Sequence, residues 1–458
     1  MTSIPAPPAP SNVQGLIVRG YTHPYSTHML FHFPSRGAAA AFVQALLPYL
    51  QSGEDWGDAK PVMLLNISLT CNGIQAATAL TSNDLVQFPI TFRLGPESSD
   101  SQQALFDLGG SAPANWWAKN FKTADLHCVV HTYALDAASM DAIVTHVANA
   151  AQTAGVTELF ALAGNLRLVQ VQLPDEKIHF GYRDGISEPA LSWPVEGEPY
   201  DSSTLDNFVI GYPTGSPFAP GPSGNNAAGQ FAKDGCYNAF RIIAQDVAGF
   251  EKFLDDTAPA VTAKLGMSTA DAREWIAAKL VGRWRNGSPL EISPDAPDPA
   301  TCESEGFGYL LDMDGMKCPF AAHTRVSNPR DQQLFPADEP VPRIIRRGAP
   351  YGAPADVDPN ADRGLIGLFL CGALAAQFEL VYGWMNQNTF SQVFSPNFDT
   401  QDAVLANRQV AGVDTSFTMP TAKGAIQVTL PQFLTTRGTA YCLLPSIASL
   451  EAVAAQAV

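Results

Sequence analysis

Asp125–Ala154, DLHCVVHTYALDAASMDAIVTHVANAAQTA, is the stretch on which the fold turns. Its opening part, Asp125–Leu135, is rich in β-branched and aromatic residues and reads as a strand. Ala137–Ala154 is alanine-rich, with apolar residues at helical spacing, and reads as a long helix. Upstream lie expected strands at Gly15–Tyr21, His28–Phe33 and Val62–Thr70, a turn at Pro34–Gly37 and a helix at Ala38–Leu50. Downstream, Leu166–Leu173 reads as a further strand. The pattern does not assign Trp116 and Trp117. Strand, helix, strand, then strand, helix, strand, is the ferredoxin-like α+β plan.

A similar order recurs later. Tyr237–Ile243 (YNAFRII) reads as a strand, and a helix begins within Asp246–Leu254. Ser268–Val281 reads as another helix, with Ser268 as its N-cap. Gly364–Cys371 is an apolar strand running into a helix at Ala373–Asn386, and Thr436–Leu444 is the last strand. The expectation is an internal duplication: two ferredoxin-like domains, 1–190 and 191–458, with antiparallel sheets and peripheral helices. Glu196–Gly224, rich in Pro, Gly, Ser and Asn, reads as a linker or a cofactor-wrapping loop.

With 458 residues, 46% hydrophobic and 16% charged, the chain can bury large cores. A net charge of −17 disfavours phosphate backbones and anionic membranes, so neither nucleic acid nor a membrane is an expected partner. The seven cysteines are dispersed without a CxxC pair, which points to free thiols and away from structural zinc. The N-terminal MTSIPAPPAPSN has no apolar signal core. The expectation is therefore cytoplasmic, or secreted if a leader has been removed. A homo-oligomer stays open.

Three stations could carry chemistry. His323, in FGYLLDMDGMKCPFAAHTRVSNPR (Phe307–Arg330), is the only histidine after His179 among eight. An apolar wall precedes it, and Arg325 and Arg330 follow. That suits a flat, greasy cofactor bearing carboxylates, such as haem, although a buried histidine satisfied by backbone carbonyls is the more ordinary reading. In HFGYRDGISEP (His179–Pro189), Gly181 and Gly185 bracket Asp184, which permits a sharp bend and close approach to a ligand. In RIIRRGAPYG (Arg343–Gly352), Arg346 and Arg347 are adjacent, so in an extended segment one turns inward and the other to solvent. His28 and His32 are four apart in an extended stretch, a weak metal signal. The acidic run Glu291, Asp295, Asp298, Glu303 and Glu305 suggests manganese only faintly; a solvated loop is the ordinary reading.

Together these stations resemble the dye-decolorizing peroxidase family. The GxxDG motif of that family is similar to Gly181–Gly185, its haem-ligand region to HTRVSNPR (His323–Arg330), and its distal arginine segment to Arg343–Gly352. Smaller echoes, DGCYNAFRIIAQDV, LVGRWRNGSPL, QFELVYGWMN and TTRGTAYCLLPS, follow in the family's order over most of the chain. The resemblance implies haem b (iron protoporphyrin IX) held mainly by the C-terminal domain, with His323 as proximal ligand and Asp184 and Arg346 on the distal side. It implies hydrogen peroxide and aromatic small-molecule reductants as partners, and turnover through a ferryl/porphyrin-radical intermediate. Arg325 is the expected propionate partner, and Gly185 is expected beside the cofactor. Leu368, Phe369 and Leu370 are candidates for the distal wall, since GLIGLFLCG departs from the family's Leu/Phe pair. Asp402 is a candidate acceptor for the proximal imidazole. Tyr351 is the candidate surface relay for electrons from bulky dyes. The rival readings are a thiolate ligand from Cys318, a haem carrier, and a deferrochelatase-like iron remover.

Overall fold

The structure is a computed structural model and describes residues 4–198, 203–214, 225–332, 341–387 and 401–456. The first half supplies β1 (Tyr25–His32), β2 (Met63–Thr70), β3 (Cys128–Ala134), β4 (Thr157–Leu159) and β5 (Leu168–Val169). The second supplies β6 (Cys236–Gln245), β7 (Ile345–Arg346), β8 (Ala349–Tyr351), β9 (Gly364–Cys371) and β12 (Leu434–Leu444), with β10 (Ser416–Met419) and β11 (Ile426–Thr429) as a separate hairpin. Among the described residues, ten strands form one antiparallel sheet in the order β4-β1-β3-β2-β12-β6-β9-β7, with β5 on β1 and β8 on β9.

That order contains one pattern twice. Counted within each half, β4-β1-β3-β2 and β12-β6-β9-β7 both run fourth, first, third, second, the ferredoxin-like arrangement. Rather than forming two separate sheets, the halves share one. The seam is β2 against β12, through Leu69↔Leu443 and Thr70↔Cys442. Arg241 of β6, fully buried, reinforces it from the second half. Its guanidinium donates to Asp107 Oδ2 at 2.7 Å and to the hydroxyls of Thr436 and Thr439, both at 2.7 Å.

The long helix spans Ala137–Ala154, opened by Asp136, whose side chain accepts from Ser139 N, and closed by Gly155 at φ 72°. Helix Arg36–Leu46 packs beside it, and helix Ile447–Ala454 from the second half lies on Arg36–Leu46. Leu450 and Val453 thereby join Phe42, Val43 and Ile67 in one core. Two expected strands differ. Gly15–Val18 is a short helix with Leu16 and Ile17 buried, because four apolar residues are too few for either periodicity to show. Of Leu166–Leu173 only Leu168–Val169 pairs with β1. Beyond it, Val171 N donates to Pro350 O, which carries the chain toward β8. Residues 199–202 and 215–224 of the expected linker lie outside the described residues. No helix among the described residues is long and apolar enough to cross a membrane.

Candidate active site

The turn carrying Asp184 is anchored by its aromatic neighbours. Phe180 stacks on Phe250 at 4.5 Å, and Tyr182 Oη donates to Ala277 O at 2.7 Å, so helices Val247–Leu265 and Thr269–Val281 both grip it. Gly181 and Gly185 adopt φ of 86° and 76°, a region that suits glycine, and bend the chain on either side of Asp184. The Asp184 carboxylate is held by the N–H of Gly185 at 2.8 Å and by Arg346 Nη1 at 3.3 Å.

Arg346 is placed by strand register. It pairs with Phe369 across β7 and β9, so the two side chains leave the sheet on one face. Its Nε meets Glu188 Oε1 at 2.9 Å, and its backbone N–H donates to Glu188 Oε2 at 2.9 Å. Burial disfavours the guanidinium charge, but Glu188 and Asp184 outweigh it and raise its basicity. Arg347 takes the other face, yet it does not meet solvent. Its side chain is only 9% exposed and donates to Leu16 O at 3.1 Å. Glu188 went unselected in the sequence although it stands in the same HFGYRDGISEP stretch; its signal was a carboxylate four residues beyond Asp184.

His323 opens the short helix His323–Ser327. Its Nδ1 lies 2.7 Å from Oδ2 of Asp402, which is fully buried. The other oxygen of Asp402 accepts from the N–H groups of Val404 at 2.8 Å and Leu405 at 2.7 Å, so the carboxylate is fixed. A carboxylate only accepts, so Nδ1 carries the proton and the neutral ring keeps its lone pair at Nε2. Nε2 has no partner among the described residues, and the side chain is 32% exposed. Burial disfavours the imidazolium, but Asp402 more than offsets this and raises its basicity. Smaller contributions come from Arg346, which lowers it, and Asp184, which raises it.

Several expected residues stand elsewhere. Arg325 is 1% exposed, and its guanidinium donates to Asp312 Oδ2 (3.1 Å), Cys318 O (2.6 Å), Asp312 O (3.0 Å) and Gln332 Oε1 (3.1 Å). Asp312 already neutralises it, which removes the reason to assign it a propionate. The register that puts Phe369 with Arg346 sends Leu368 and Leu370 to the opposite face, where both are fully buried beside Phe240 and Ile345. Phe369 packs partly against the cluster around Ala321, Ala322 and Ala403, the neighbours of His323 and Asp402. Gly367 lies on the Phe369 face two residues earlier, and a Cβ there would stand 2.4 Å from the Phe369 ring. Tyr351 is 1% exposed rather than at the surface, because β8 tucks it against β9; its backbone carbonyl accepts from His179. Cys318 is buried and its thiol is pushed up to about 12 by burial, which disfavours the thiolate. All seven cysteines are free. Among the described residues no group of three or more His, Cys, Asp or Glu could hold a metal, the acidic run from Glu291 included.

No family model matches the chain. It is 28% identical over 414 residues to a dye-decolorizing peroxidase of Exidia glandulosa, covering 85% of this chain and 75% of that protein. Among solved structures, a dye-decolorizing peroxidase superposes with a TM-score of 0.78 at 24% identity, covering 98% of this chain and 99% of the other. A dye-decolorizing peroxidase in complex with 2,6-dimethoxyphenol superposes with a TM-score of 0.76 at 22% identity, covering 97% and 99%. Over most of its length the chain is therefore similar, in sequence and in fold, to dye-decolorizing peroxidases.

Proposed function

We propose that this dye-decolorizing-type peroxidase holds haem b through His323 Nε2, reduces hydrogen peroxide, and oxidises dyes, phenols and similar aromatic donors one electron at a time. The observation that carries the reading is Phe369, which register pairs with Arg346, the partner of Asp184, and which packs on the cluster holding Ala321, Ala322 and Ala403, the neighbours of His323 and Asp402. The donor set fits haem: a half-buried imidazole with its lone pair at Nε2, and an aromatic wall at Phe369. When bound, haem supplies the redox centre between peroxide and donor.

The chain's own residues do the rest. Asp402 accepts the Nδ1 proton, orients the ring and strengthens Nε2 as a donor. Asp184 takes the proton from the near oxygen of hydrogen peroxide and delivers it to the departing oxygen, a role for which its half-exposed carboxylate is free on one side. Arg346 offsets the negative charge that grows as the O–O bond lengthens. The 2,6-dimethoxyphenol complex of a relative supports a phenolic donor class.

The test is Asp184→Asn. The variant should bind haem with an unchanged Soret band and lose about 10²–10⁴-fold in peroxide turnover, the usual contribution of a positioned base. Turnover retained at the wild-type rate overturns the proton-transfer role.

A further inference from the structure

We infer that Glu188 is the positioning residue that keeps Arg346 from closing on Asp184 as an ion pair. The inference rests on the assignment of Asp184 as proton carrier. Arg346 has two carboxylates within reach and engages them unequally. Glu188 takes two contacts at 2.9 Å, one from the backbone N–H and one from Nε. Asp184 takes a single, longer contact of 3.3 Å from Nη1. Glu188 also lies 3.6 Å from Arg347 Nη1, so it is held between two guanidinium groups on opposite faces of β7. Those two charges fix the carboxylate, and the carboxylate fixes Arg346.

The arrangement solves a conflict within the site. An arginine beside an aspartate ordinarily forms a short bidentate pair, which stabilises the carboxylate and weakens it as a base. Glu188 occupies Nε and anchors the backbone, and Asp184 meets the guanidinium through Nη1 alone. One oxygen of Asp184 is thus less committed and can receive a proton, while the guanidinium still points at the same space. Glu188 adds a negative charge near Asp184, which opposes the stabilisation that Arg346 gives. Beside Asp184, Arg183 turns outward to Glu303 and Glu176, and the Glu176 carbonyl accepts from the Asp184 N–H.

The carboxylate is not replaceable by an amide. Glu188 Oε2 accepts from the Arg346 backbone N–H and Oε1 pairs ionically with Nε, whereas glutamine offers one acceptor and one donor. Glu188→Gln therefore places a donor against a donor and frees Arg346 to swing to Asp184.

The experiment compares haem-loaded wild type, Glu188→Gln, Glu188→Asp and Asp184→Asn. Glu188→Gln should lower kcat/KM for hydrogen peroxide about ten- to a hundredfold. The acid limb of its pH profile should move to lower pH, because Asp184 becomes harder to protonate. Cyanide affinity of the ferric protein should fall in parallel, since binding HCN needs a proton acceptor and a cation at the same place. Haem uptake by the apoprotein should not change. Glu188→Asp, with a shorter arm and both acceptors, should be intermediate in all three readouts. The inference is overturned if Glu188→Gln keeps the wild-type acid limb and cyanide affinity, whatever its rate, because a merely structural loss moves neither. If Asp184→Asn itself keeps full turnover, the proton-carrier assignment falls instead.

Discussion

The two halves of the chain each draw histidine away from bulk water, with opposite outcomes. In the first half His28 and His131 meet ring to ring, Nδ1 to Nδ1 at 2.9 Å, and His131 Nε2 lies 3.0 Å from Ser68 Oγ. No carboxylate faces them among their hydrogen-bond partners. Burial holds His28 down to about 3 and His131 well below the ordinary imidazole range, the latter helped by repulsion from His28. In the second half His323 is likewise penalised by burial, yet Asp402 leaves it more basic than usual. Desolvation has the same sign in both places. One carboxylate, itself pinned by two backbone N–H groups, separates an inert pair from a ring suited to a metal.

The largest expected effect attacks the second environment directly. His323→Ala should abolish the Soret band on reconstitution with haem, and a band of wild-type height would end the assignment. Removing the carboxylate from a buried cation near the seam, Arg241, extends the rule there. Asp107→Ala leaves that guanidinium uncompensated and should cost about 3–5 kcal/mol in urea unfolding. Asp402→Asn should weaken haem retention by about 10–100-fold in competition with an apo-acceptor, while the fold persists.

The histidine pair sharpens the contrast through pH. Its folded-state basicity is depressed, so the unfolded chain binds more protons below the ordinary imidazole value near 6.5. Stability is therefore full above that value and is lost as pH falls from about 6.5 toward about 3. A His28→Gln, His131→Gln double variant should show a flatter fall in urea midpoint between neutral and acid solution. The smallest effect belongs to Tyr351→Phe, whose hydroxyl makes only a 3.4 Å contact with Asp362. Stability should change by less than about 1 kcal/mol, and rates with bulky dyes should hold.

Local signals carried much of the fold. Ala137–Ala154 could be bounded because its periodicity is long and sits between Asp136 and Gly155. The α+β class and the repeated element order were legible for the same reason. The single sheet was not, because the seam joins residues near 70 to residues near 443, and no local pattern encodes that pairing. At the site, Asp402 lies 79 residues from His323, reachable only through the chemical need of a metal-bound imidazole for an acceptor. Arg325 misled because Asp312, its partner, is 13 residues away and acidic residues are common in that loop. Tyr351 misled because five residues past Arg346 says nothing about which way a two-strand turn folds back; here β8 returns onto β9 and covers the ring. Choosing among Leu368, Phe369 and Leu370 needed register, since three apolar neighbours look alike until Arg346↔Phe369 divides them.

The loan of β12 and helix Ile447–Ala454 to the first half has a consequence for biogenesis. The C-terminal end of β2 and one side of helix Arg36–Leu46 are covered by residues 434–454, while Gln14 and Leu50–Gln51 meet β2 farther back. During synthesis the earliest core waits with an unpaired strand edge, the kind of surface that invites aggregation or chaperone capture. A nonsense codon anywhere before residue 434 therefore leaves both halves unfinished, and the nascent chain gains no safe resting point midway.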